Sequence, residues 1–142
     1  MAGGTVDAEP LADALLAWAA RTHKASEAGV RTAGTELKER IQASLVRSEY
    51  PPSSPPGEPP ALRSGLLRDS VYQRTVELGT GYQERVFPSA VYARIHELSG
   101  WTGAGHRTFL PRRPYVGPAL QAYTPNFRPA MVAVWREAMP GR

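Results

Sequence analysis

Six of the ten residues from Pro51 to Pro60 are proline, and no other stretch so limits what this chain can form. Proline offers no N–H to a helix or a central strand, and its ring clashes with the turn before it. The segment is therefore expected to cross the fold as an extended, polyproline-like arm. Leu62, Leu66 and Leu67 follow it too closely for a free tail that serves a proline-recognition module. Residues 7–48, on its other side, read as helix alone and cannot bury both faces of a sheet. The prolines are thus expected to join parts of one domain, spanning residues 1–142.

Upstream, the pattern predicts an N-terminal helix within residues 1–50. Asp7 is placed to cap it, with Glu9 and Pro10 in its first turn. Leu11, Leu15 and Trp18 form one stripe, and Leu37, Ile41 and Leu45 another. Trp18 is read as core. Gly29 and Gly34 each cost about 1 kcal/mol against Ala in a helix interior. Either one long helix has a soft middle or two helices meet near Gly29; the absence of proline from residues 11–50 favours one.

Downstream of the crossing (residues 51–69), Leu62 to Leu67 reads as a turn. Ser70 to Leu78 alternates as a strand, with Val71, Gln73 and Thr75 on one side and Tyr72, Arg74 and Val76 on the other. Gly79-Thr80-Gly81 signals a hairpin, and Tyr82 to Phe87 returns. Ser89 is a candidate N-cap for a short helix over Ala90–Leu98, with Val91, Ile95 and Leu98 on one face and Gly100 at its end. Gly100 to Gly105 reads as a loop and Arg107 to Leu110 as a last strand. Ala119 to Tyr123 suggests one helical turn. A C-terminal helix within residues 121–142 is expected to start at Pro125 or Pro129, with Met131, Val134, Trp135 and Ala138 on one stripe. The expected fold class is α+β: a long N-terminal helix packed on a small antiparallel sheet, a short middle helix and a C-terminal helix.

Chemistry is hard to find. With no cysteine there is neither a disulfide framework nor a Cys-based zinc site. His23, His96 and His106 lack metal-ligand spacing and read as structural or surface residues. No GxSxG elbow, GxxxxGK[ST] loop or GxGxxG turn occurs. GWTGAG (Gly100–Gly105) reads as a flexible loop. Glu97 is expected to pair with a nearby Arg rather than act as a general acid. No catalytic residue, metal or cofactor is assigned, and an enzyme has no constellation behind it. Acids near the start argue against a secretory signal, and no apolar run approaches a membrane span, so synthesis and use in a cytoplasm are expected. The net charge of +4 tolerates a polyanion nearby without demanding one.

Three motifs stand out in order. The first is GEPPALRSGLLRDS, with Gly57, Pro59, Pro60, Ser64, Gly65, Leu67, Arg68 and Ser70 in a Gly-x-Pro-Pro and Ser-Gly-x-Leu-Arg-x-Ser pattern. The second is YARIHELSG, with Tyr92, Ala93, Glu97 and Gly100. The third is PRRPYVGPAL, with Pro111, Arg113, Pro114, Tyr115, Pro118, Ala119 and Leu120. Together they resemble the neck or tail-completion (head–tail connector, minor capsid) proteins of lambda-like tailed phages, and the related virion morphogenesis proteins of Mu-like phages. One departure is local: Ser99 shifts the glycine after Glu97 by one residue.

The resemblance implies a non-enzymatic structural virion protein, made in the bacterial host cytoplasm and located at the head–tail interface. It implies a homo-oligomeric ring, hexameric or dodecameric, around the DNA channel. Expected neighbours are portal, adaptor or stopper proteins and tail-tube or tail-terminator proteins, with transient non-specific DNA and no membrane; neck and tail-terminator roles both stay open. Pro51–Leu67 and Arg112–Val116 are the candidate contact segments, with Pro55, Pro56, Glu58, Pro59, Pro60, Leu62, Leu66, Arg112, Arg113 and Tyr115 as candidate contact residues. Tyr92, Ile95 and Tyr115 are also read as core. Arg107, Arg112 and Arg113 are candidates to face the DNA channel. The alternative is a small basic nucleic-acid-binding protein using these arginines, with Trp101 and Tyr115 as stacking partners.

Overall fold

The computed structural model describes residues 8–46 and 53–139; Asp7, Pro51 and Pro52 lie outside them. Helix α1 runs unbroken over Glu9–Ser44. Its two glycines mark close approaches rather than a break. A Cβ on Gly29 would sit 2.8 Å from Met131 Sδ, and one on Gly34 would run into the Glu84 side chain. What the helix loses in propensity there it regains by packing a second helix and a strand against its backbone.

The proline segment is not extended throughout. Gly57 adopts φ +88°, and the Glu58 N–H donates to Pro55 O at 3.3 Å. Proline followed by a positive-φ glycine is the pattern of a type II turn, so the arm bends at Pro56-Gly57. Gly65, at φ +84°, then leads into α2 (Leu66–Asp69).

Strands β1 (Val71–Leu78) and β2 (Gly81–Pro88) pair antiparallel from Val71↔Pro88 to Leu78↔Gly81. The expected alternation is present, with Val71 buried, Gln73 and Thr75 half-buried, and Tyr72 and Arg74 exposed. The inner face lies on α1: Gln73 Nε2 donates to Thr35 Oγ1 at 3.1 Å, and Tyr82 Oη lies 2.9 Å from His23 Nδ1.

Helix α3 covers Ala93–Leu98. Ser89 does not cap it; the Ser89 N–H bonds Ser70 O, and Val91 is 99% exposed. Gly100 to Thr102 is not loop but strand β3, paired with β4 (Thr108–Leu110) in a second two-stranded sheet. The expected last strand thus has its own partner and does not extend the first hairpin. Trp101 and Phe109 face each other across it, ring centroids 5.4 Å apart.

Ser99 ends α3 at φ 69°, ψ 169°. That region belongs almost wholly to glycine and costs another residue about 1–3 kcal/mol. Ser99→Gly is expected to stabilise the fold by roughly 1 kcal/mol, raising the melting midpoint by about 3 °C. An unchanged or lower midpoint in a thermal melt would contradict this.

Helix α4 is one element over Val116–Ala138, earlier and longer than the prolines suggest. Pro125 and Pro129 lie inside it, on a stretch exposed from Thr124 to Pro129. Water can serve the carbonyls that lose a donor there, while Ala119, Tyr123 and Met131 hold both halves against α1. The core lies where the parts converge. Ile41 and Leu45 of the α1 end meet Val71, Tyr115 and Ala119, with Leu37, Leu67, Val86 and Val116 around them.

Candidate subunit interface

The three motifs close on one another around Glu97 and Arg113. Glu97 was expected to pair with an arginine, but its carboxylate caps α4 instead. Oε2 accepts the N–H groups of Tyr115 at 2.8 Å and Val116 at 3.1 Å, and Oε1 accepts that of Gly117 at 2.9 Å. Tyr115, the residue before α4, supplies no side-chain cap. Glu97 thus serves N–H groups that lack helical partners, and sets its negative charge at the positive end of the helix dipole. A Cβ on Gly117 would stand 3.0 Å from Oε1, so glycine leaves the carboxylate its room.

Arginine meets Glu97 through the backbone: Arg112 Nε donates to Glu97 O at 2.9 Å. The neighbouring Arg113 N–H donates to His96 O at 2.7 Å. Arg113 Nε reaches back to Ser54 O at 2.8 Å, and the Gly57 N–H donates to Arg112 O at 2.9 Å. The proline arm is thereby tied to the segment that starts α4.

The candidate contact residues divide. Pro56, Glu58, Leu66 and Arg112 are exposed, Pro55, Pro59 and Leu62 half-buried, and Pro60, Arg113 and Tyr115 buried. Tyr115, at 0% exposure, is core and offers no outer surface for docking or base stacking. Arg113 is buried, at 7% exposure, whereas Arg107 and Arg112 are exposed. Tyr92 is 42% exposed rather than core, and Ile95 is half-buried.

Pro60, Leu62, Leu66, Tyr92, His96 and Arg113 help to line a cleft of about 350 Å³, with Leu45 at one wall. Among the described residues, no acidic one lines it. Arg113 has no carboxylate within ion-pair distance among the described residues. Ser54 Oγ and His96 Nδ1 are buried there without hydrogen-bond partners. The Arg113 guanidinium is held by neutral acceptors, Ser54 O at 2.8 Å and Ser53 Oγ at 3.4 Å, so its charge is left to favour an anion presented from outside.

Burial, and after it the Arg113 guanidinium, holds the His96 imidazole below its ordinary 6.5. The unfolded chain therefore takes up this proton first as pH falls. The stability it contributes is complete above about pH 6.5 and is lost as pH drops through that value toward the lowered folded one. His96→Leu is expected to flatten the fall in melting midpoint between about pH 7.5 and 5.5. Identical slopes for parent and variant would contradict the assignment.

The sequence did not foresee the first third of α1. Every residue from Ala8 to Arg21 is exposed, including Leu11, Leu15, Leu16 and Trp18, and Trp18 is not core. Ala138, the last residue of α4, lies near Arg21, Lys24 and Ala25, so α1 runs on past its partner helix among the described residues. The overhang measures roughly 20 Å at 1.5 Å per residue. An i, i+4 stripe made the side chains look like core; what was illegible was that no described element extends far enough to cover them.

Comparison of the chain with protein-family models, curated proteins and solved structures returned no match. Among the described residues, no group of three or more His, Asp or Glu could hold a metal ion, and no helix is long and apolar enough to cross a membrane.

Proposed function

We propose that this chain is a structural subunit of a tailed-phage neck or tail-completion ring, joining head to tail around the DNA channel. The observation that carries the reading is the convergence of the three motifs. The segments around Gly57, Glu97 and Arg113 are far apart in sequence yet fasten to one another through backbone and side-chain hydrogen bonds. Residues that carry the resemblance therefore act together as one structural joint. The apolar overhang of α1 supports assembly, because a projecting helix with Leu11, Leu15 and Trp18 uncovered suits burial against another chain. Exposed Arg107 and Arg112 are candidates to meet passing DNA through phosphate charge alone.

In this role the protein is a component of finished particles. Mass spectrometry of purified virions from the source phage is expected to detect it. Deleting its gene is expected to leave filled heads and free tails unjoined. Normal infectious particles without the protein would sink the reading.

A further inference from the structure

The overhang and the Arg113 cleft lie at opposite ends of one unbroken helix. Asp13 and Leu16 belong to the first turns of α1, while Leu45, just past its last turn, walls the cleft. At 1.5 Å per residue, Asp13 and Leu45 stand roughly 45 Å apart, so a chain cannot fill its own cleft with its own overhang.

The two surfaces are complementary. From Ala8 to Ala20 the overhang carries Glu9 and Asp13 and no basic residue. Glu9, Asp13 and Leu16 share one face, at i, i+4 and i+7, flanked by the small Ala12 and Ala20. Leu16 is 69% exposed, the most exposed of the large apolar side chains on the overhang. Opposite them, the cleft pairs apolar Leu62, Leu66 and Leu67 with the buried cation of Arg113 and with Arg63. Its described lining lacks the acid that the overhang carries, and its volume suits a few inserted side chains.

We propose that the Asp13–Leu16 face of α1 in one copy docks in the Arg113 cleft of the next copy. Leu16 enters the apolar part, and Asp13 supplies the counter-ion that Arg113 lacks among the described residues of its own chain. Because the joined surfaces are unlike and at opposite ends, the contact is head-to-tail, the kind that closes into rings. The inference rests on the ring reading and names its contact.

The test exploits the absence of cysteine from the chain. Two single variants of the full chain, Leu16→Cys and Leu66→Cys, are mixed and oxidised. A Leu16→Cys/Thr80→Cys mixture serves as control, since Thr80 sits in the β1–β2 turn away from the cleft lining. The proposal predicts a disulfide between the two variants well above the control. It also predicts that Asp13→Arg raises the concentration for half-assembly at least tenfold without moving the melting midpoint of the dissociated chain. An assembled oligomer without the mixed disulfide overturns the dock but leaves the ring. So does Leu16→Cys joining mainly to itself, or Leu66→Cys staying open to a thiol reagent within the oligomer, as a cleft kept for another virion protein would. A chain that is monomeric at every concentration overturns both.

Discussion

Glu97→Ala is expected to cost about 3 kcal/mol and to lower the melting midpoint by roughly 10 °C. One carboxylate accepts three N–H groups at the start of the 23-residue α4, and it does so from α3. Alanine would leave those donors facing a half-buried space with no local cap to replace it. It would also remove the charge that opposes the helix dipole, and would loosen α3 from α4. Glu97→Gln keeps a single acceptor oxygen and no charge, so it should fall between parent and alanine. Glu97→Asp is one methylene shorter, and is expected to recover little. Calorimetric melts of the three variants check the order. An alanine variant that melts within about 2 °C of the parent would remove Glu97 from its capping role.

Tyr115→Ala is expected to cost about 3–5 kcal/mol, the range for truncating a large buried aromatic. Tyr115 is fully buried among Ile41, Leu45, Val71 and Ala119, where the end of α1, the first strand and the start of α4 meet. Its hydroxyl is buried without a hydrogen-bond partner, and burial drives its ionisation well above the ordinary tyrosine range. Tyr115→Phe should therefore be close to neutral, since it removes a group that gains nothing from being buried. The pair separates core from contact. A docking residue would show normal chemical denaturation as alanine and a defect only in assembly; a core residue loses stability as alanine and keeps it as phenylalanine.

The elements legible in the sequence are those set by local chemistry. The β1–β2 hairpin follows from alternation around Gly79-Thr80-Gly81, and α1 from a long run without proline. Elements set by distant partners were not legible. The start of α4 depends on a carboxylate eighteen residues before Tyr115, so Pro125 and Pro129 looked like better beginnings than Val116. Glu97 was recognised as an acid in need of a partner, but a backbone N–H set leaves no charged residue in the sequence to point at. Trp18 and Arg113 show the same limit in opposite directions. A helical stripe predicts that a side chain will be covered without saying by which chain, and proline neighbours stiffen an arginine without saying which way it turns.

The central claim is that this chain closes into a ring with itself, and native mass spectrometry of the purified 142-residue chain tests it most directly. The account predicts one dominant closed oligomer, a fixed multiple of the 15.5 kDa chain, whose copy number does not change with protein concentration. A single 15.5 kDa species over the whole accessible range, or an open series of masses that lengthens with concentration, would contradict it.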